Sequence, residues 1–122
     1  MGVFSVRARV WNPLNPKLSR DVELLVDTGT TYTVLPEDLL KELGIKGVRL
    51  VKVRLASGEV VERWLGEVGI EVSGYRVSAT PVIFGFPKVY LLGSVTMEQL
   101  GLMPDPIERR LRPIEVLMMG LE

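Results

Sequence analysis

Cysteine and histidine are both absent from the 122 residues. Without cysteine there are no disulfides, no thiolate metal sites and no thiol nucleophile; without histidine there is no Ser-His dyad, no HExxH zinc site and no imidazole base. Chemistry is left to carboxylates, hydroxyls and amines, and neither a metal nor a cofactor is expected. An excess of either charge is missing too, since 15 Lys and Arg balance 15 Asp and Glu. No global field therefore steers the chain toward nucleic acid or an anionic membrane. Long apolar runs are lacking: "VIFGF" and "EVLMMGL" fall well short of the roughly 20 residues a membrane helix needs. The first residues, "MGVFSVRARVW", alternate instead of forming a signal-peptide core, and Val6 stands where a myristoylation pattern wants Ser or Thr. The expectation is a cytoplasmic protein with neither a nucleic-acid nor a membrane partner. Side-chain amides are confined to Asn12, Asn15 and Gln99, which resembles the thermolabile-poor composition of heat-adapted proteins.

What is present is 47% hydrophobic, enough for one domain over residues 1–122 with a sizeable core. Val6, Ala8 and Val10 alternate with Arg7 and Arg9, which predicts a strand over about residues 3–11, and "NPLNP" reads as a loop. "DVELLVDTG" predicts a second strand from Asp21 to Val26 and "TYTVL" a third, with Thr28 and Gly29 as the turn between them. Pro36 suits a first helical position, "EDLLKEL" has apolar residues at helical spacing, and Gly44 suits the end. Alternation on both sides of Ser57-Gly58 predicts a long hairpin with its tip at residues 56–59, and Ser73-Gly74 begins another. "KVYLLGSVTMEQLGL" predicts a strand to Gly93 and then a helix ending at Gly101. Comparison of "KELGI" with "EQLGL" suggests a weak internal repeat, residues 24–45 against 90–102. The tail, "LRPIEVLMM", reads as a last strand.

One stretch, "LLVDTGTTYTVLP" at residues 24–36, places an acid directly after an apolar run. In the bland reading Asp27 makes an Asx turn and Gly29 supplies a permissive backbone. Against it, a carboxylate at the end of an apolar strand is costly unless it is hydrogen-bonded or used. The stretch also looks like the phosphate-binding hairpin of the actin-like ATPases, heat-shock chaperones and sugar kinases, but that fold needs two large lobes and a second phosphate loop. This chain is too short for them. The phosphorylated Asp-Lys-Thr-Gly motif of ion pumps fails for want of the Lys and the length.

An ordered set of features runs along most of the chain: Asp27-Thr28-Gly29 after an apolar strand, a hairpin tip at Ser57-Gly58, and Leu91-Leu92-Gly93 before a helix. In this the chain resembles the retroviral-type (retropepsin-like) aspartic proteases, particularly their small stand-alone prokaryotic members. The resemblance implies an all-β closed acid-protease barrel with a flap hairpin and two short helices. It implies a symmetric homodimer in which Asp27 of each subunit meets on the twofold axis, so that one acid per chain suffices. The shared dyad would activate a water to hydrolyse peptide bonds of extended polypeptides, with no cofactor. Thr28 would cross-brace the two loops, Gly29 would let backbone approach the dyad, and Leu92 and Gly93 would support them.

Thr30 stands where retroviral enzymes usually carry Ala and pepsin-like lobes often carry Ser or Thr. Its hydroxyl could donate to the carboxylate and favour the charged form, so acid-shifted activity is expected. Thr31 replaces an acid of the viral enzymes and Ser94 the arginine that pairs with it, so viral specificity does not carry over. Ala56, Ser57, Gly58 and Glu59 would form the flap over an extended peptide. Trp11, Trp64, Met97, Met103, Met118 and Met119 are expected in the core or a dimer contact, and "ERRLR" as a solvated turn. A second class is a catalytically inactive peptide-binding or dimerisation module of the same fold.

Overall fold

The computed structural model describes residues 3–120. Strand β1 (Ser5–Asn12) and strand β2 (Asn15–Val26) form an antiparallel hairpin. The expected "NPLNP" loop is in fact a two-residue turn at Pro13 and Leu14, and β2 begins well before Asp21. Two local causes account for it. Asn12 builds the turn itself, accepting from the Leu14 amide at 2.8 Å while donating to the Leu43 carbonyl at 2.8 Å. Pro16 falls at the start of β2, where a strand tolerates a missing donor.

Strand β3 (Thr33–Pro36) leads into helix α1 (Glu37–Glu42), so Pro36 closes the strand instead of opening the helix. Strands β4 (Arg49–Arg54) and β5 (Val60–Val72) make the long hairpin, with its tip at residues 56–59 as predicted. Strand β6 (Tyr75–Gly85) follows across Ser73 and Gly74, whose φ of 53° and 84° make the primed type of turn that suits strand twist. The short strand β7 (Leu91–Leu92), helix α2 (Ser94–Leu100), and the hairpin of β8 (Leu102–Asp105) with β9 (Arg110–Pro113) complete the described chain. Helix α2 ends on Gly101 in the left-handed conformation, the C-terminal signal read from the sequence.

The main sheet runs β1-β2-β7-β3-β6-β5-β4, and β1 pairs with β5 as well. Six strands thus return on themselves while β4 branches outward as a free edge. The expected closed barrel is corrected to a ringed sheet, because β7 stops at Gly93 to start α2 and joins β3 through the single pair Val34↔Leu91. Inside the ring lie Val10, Leu24, Val26, Leu35, Ile70, Val72, Val82 and Leu92, with Leu40 of α1 and Met97 of α2 packed among them. Trp11, next to core-facing Val10, is buried outside that cluster, its ring set against Gly69 and covered by the Arg76 guanidinium at 4.4 Å.

The two halves of the weak repeat meet in space. The ends of β2 and β7 run parallel with Leu25↔Leu91 and Val26↔Leu92, although β3 intervenes before the helix in the first half only. Beyond Pro113 the tail is not the strand expected from "LRPIEVLMM". Its Ile114 amide bonds the Gly101 carbonyl at 3.0 Å, after which Val116, Leu117, Met118 and Met119 stand exposed with no strand beside them. Met103 and Trp64 are also exposed on the single chain; of the "ERRLR" stretch expected as a solvated turn, Glu108 and Arg109 lie in an exposed turn, whereas Arg110 to Arg112 belong to β9 and Leu111 is buried. Among the described residues no helix is long and apolar enough to cross a membrane.

Candidate active site

The pleat of β2 decides where Asp27 goes. Leu24 and Val26 fill the core, so Leu25 and then Asp27 turn to the opposite face. The strand is gripped from both sides to its last residue: Val26 donates to the Phe4 carbonyl at 2.9 Å, and Leu25 and Asp27 donate to the carbonyls of Tyr90 and Leu92 at 3.0 and 3.1 Å. The chain then turns back on the carboxylate. The Gly29 amide donates to Oδ1 at 3.0 Å, the Thr30 hydroxyl to Oδ2 at 2.8 Å, and the Thr30 amide to the Asp27 carbonyl at 3.2 Å. The Asx turn of the bland reading is therefore present, but it engages one oxygen only. Thr30 holds the other, so the half-buried carboxylate is fixed in rotation with lone pairs left over on both oxygens.

A second segment locks the turn from behind. Helix α2 has no side-chain cap, and its first amides find carbonyls of the turn instead: Ser94 donates to Thr30 at 2.8 Å and Val95 to Thr31 at 3.0 Å. Gly93, just before them, donates to the Thr33 hydroxyl at 3.1 Å. Thr31 and Ser94, the two neutral departures from the viral pattern, are thus neighbours joined through main chain, with the Ser94 hydroxyl 3.5 Å from the Thr31 carbonyl. The structure brings Asp27, Gly29, Thr30, Leu92 and Gly93 into one hydrogen-bonded unit. Thr28 stands exposed at the tip of the turn.

Ala56, Ser57, Gly58 and Glu59 form a separate, exposed tip. The Leu55 amide bonds the Glu59 carbonyl at 2.8 Å, Gly58 bonds back to Leu55 at 2.9 Å with φ of 93°, and Arg54 reaches the Gly58 carbonyl at 3.0 Å. Among the described residues no hydrogen bond links this tip to the Asp27 turn.

Sequence reasoning missed a cleft along the strand that leads to the carboxylate. An open cleft of about 450 Å³ is lined by Ser5, Glu23, Leu25, Lys88, Val89, Tyr90 and Leu91. Leu25 precedes Asp27 by two on the same face and is paired with Leu91, so the cleft lies along the strand that carries the acid. Alternation around the buried Leu24 and Val26 was the signal that would have found Leu25. Among the described residues no group of three or more acids forms a metal-binding cluster.

A polar turn built around one acid, framed by two parallel strand ends and following a cleft of mixed polar and apolar lining, suits acid–base chemistry on a chain lying across it. No curated protein matches the chain. A family model described as aspartyl protease matches residues 15–107, a span that takes in the Asp27 turn, the 56–59 tip and the Leu91-Leu92-Gly93 segment. This protein therefore belongs to the aspartyl protease family.

Proposed function

We propose that the protein is a homodimeric aspartic endopeptidase in which the Asp27 carboxylates of two subunits form one dyad. The observation that carries the reading is the geometry of Asp27: each oxygen takes a single donor, from Gly29 and Thr30, and the group stays half-buried at the end of a strand whose Leu25 lines a cleft. Two carboxylates about 3 Å apart cannot both ionise, so the pair holds one proton between them. The charged member takes a proton from water as it attacks the peptide carbonyl, the protonated member hydrogen-bonds the developing oxyanion, and a proton passes to the leaving nitrogen. Half the machinery sits in this chain, with a single Asp-Thr-Gly. An exposed apolar tail, Val116 to Met119, supports a second copy as the completing partner, since such a patch is unusual on a monomer. The 56–59 tip would close over an extended peptide, whose backbone it meets as a strand.

The test is cleavage of denatured casein at about pH 3 to 7, with and without pepstatin, on protein whose dimerisation is verified by sedimentation. Pepstatin-sensitive cleavage is expected. A verified dimer that cleaves nothing across that range would instead be the peptide-binding or dimerisation module.

A further inference from the structure

The core is apolar except at a few points, and three of these are threonines with no exposed surface: Thr33 on β3, Thr80 on β6 and Thr96 on α2. Their hydroxyls touch in series. Thr96 Oγ1 lies 2.6 Å from Thr33 Oγ1 and 2.7 Å from Thr80 Oγ1, and Thr33 Oγ1 accepts the Gly93 amide at 3.1 Å. The Gly93 amide thus feeds a series of two hydroxyl contacts in which, whichever oxygen donates, each bond polarises the next. Three hydroxyls inside an apolar core cost desolvation that valines of similar shape would avoid, so a network kept there has its position as its gain.

That position is the anchor of the residues that hold Asp27. Gly93 is pinned by its amide to this chain of hydroxyls. The carbonyl before it, on Leu92, takes the Asp27 amide at 3.1 Å, and the two amides after it hold the carbonyls of Thr30 and Thr31. We infer that Thr96 is a positioning residue of the active site, whose buried hydroxyl sets segment 92–95 against β3 and so sets the rotation and height of the Asp27 carboxylate. The inference rests on the proteolytic reading above, but half of its test does not.

Thr96→Val removes the hydroxyl at nearly constant volume, and Thr96→Ser restores it. Val10→Ala, in the β1 core and outside the network, controls for lost stability. Thr96→Val is expected to lower kcat roughly tenfold with KM changed less than about twofold, the scale of one buried hydrogen bond lost from an alignment made in the transition state. Thr96→Ser should return kcat to within about threefold of wild type, and Val10→Ala should lose melting temperature while keeping kcat. Independently of turnover, the Gly93 and Asp27 backbone amides should exchange roughly tenfold faster in Thr96→Val and not in Val10→Ala. Unchanged amide exchange, or an equal loss of kcat in Val10→Ala, overturns the inference. Should wild type cleave nothing, the proteolytic reading falls by itself and the amide measurement still decides this one. If Thr96→Val does not fold, Thr80→Val, at the far end of the chain of hydroxyls, carries the same expectation at about threefold.

Discussion

Replacing Gly93 by alanine puts a single methyl where two chain segments cross. Its carbon would stand 2.5 Å from the Tyr32 carbonyl carbon, 2.7 Å from the Thr33 nitrogen and 2.7 Å from the Tyr32 oxygen. All three are main-chain atoms, so no side chain can swing aside. The strand behind them is held by its pairing of Thr33 to Val82 and Val34 to Ile83 and by buried Leu35. Relief of almost 1 Å must come from moving β3 or α2, a misfit of the overpacked kind that costs about 1–3 kcal/mol. Moving either also breaks the Gly93–Thr33 hydrogen bond in a buried setting, adding about 1–2 kcal/mol. The sum is about 2–5 kcal/mol, and a domain of this size melts about 3–5 °C lower for each kcal/mol, so a fall of roughly 10–20 °C is expected. Gly101→Ala is the companion. Nothing lies within 4 Å of its Cβ position, and only its φ of 71° is at issue, so about 1–2 kcal/mol and at most about 10 °C are expected. Scanning calorimetry or circular dichroism melts of both variants give the comparison. A Gly93→Ala protein melting within about 3 °C of wild type, or one no worse than Gly101→Ala, would refute the argument that the crossing is rigid.

Asp27→Asn keeps the shape and the Gly29 contact, so folding should survive while cleavage falls to background; retained turnover would end the dyad reading. Mixing this variant in equal amounts with wild type under verified exchange should leave about a quarter of the activity if each site needs both acids, and about half if each chain works alone. Thr30→Ala removes the 2.8 Å donor to Oδ2 and with it the hold on that oxygen, so kcat should fall roughly tenfold while the fold survives. An unchanged kcat would assign the hydroxyl to structure alone. Arg63→Met strips the Phe84 and Gly85 carbonyls of donors at 2.7 and 3.1 Å, breaks the 3.3 Å contact to Glu37 and uncovers Phe86, so a loss of about 2–4 kcal/mol in denaturant unfolding with unchanged slope is expected.

Local signals were the legible part of this fold. Alternation located β1 and both arms of the β4–β5 hairpin, Ser73-Gly74 located the next turn, and Gly44 and Gly101 marked the ends of α1 and α2, because each depends on a few adjacent residues. The early start of β2 was hidden by Pro16, whose usual meaning is a loop. The tail was misread for a related reason: "IEVLMM" has the composition of a strand, but a strand needs a partner, and the described residues offer none beyond Pro113. Asp27, Gly29, Thr30 and Gly93 could be picked out from motif and resemblance. Leu91 as the wall of a cleft could not, since it depends on β2 and β7 becoming neighbours, and the partnership of Thr33, Thr80 and Thr96 depends on three elements meeting.

The parallel pairing of β2 with β7 also sets an order in time. Leu25 waits for Leu91, the Asp27 amide waits for the Leu92 carbonyl, and the carbonyls of Thr30 and Thr31 wait for α2. Closing so long a loop comes late in folding, since contacts distant in sequence are formed against the greatest chain entropy. On a ribosome the acid would emerge well before its frame. A chain truncated before residue 95 thus carries Asp27 on a turn held only by its own Gly29 and Thr30, without the α2 amides that brace it from behind.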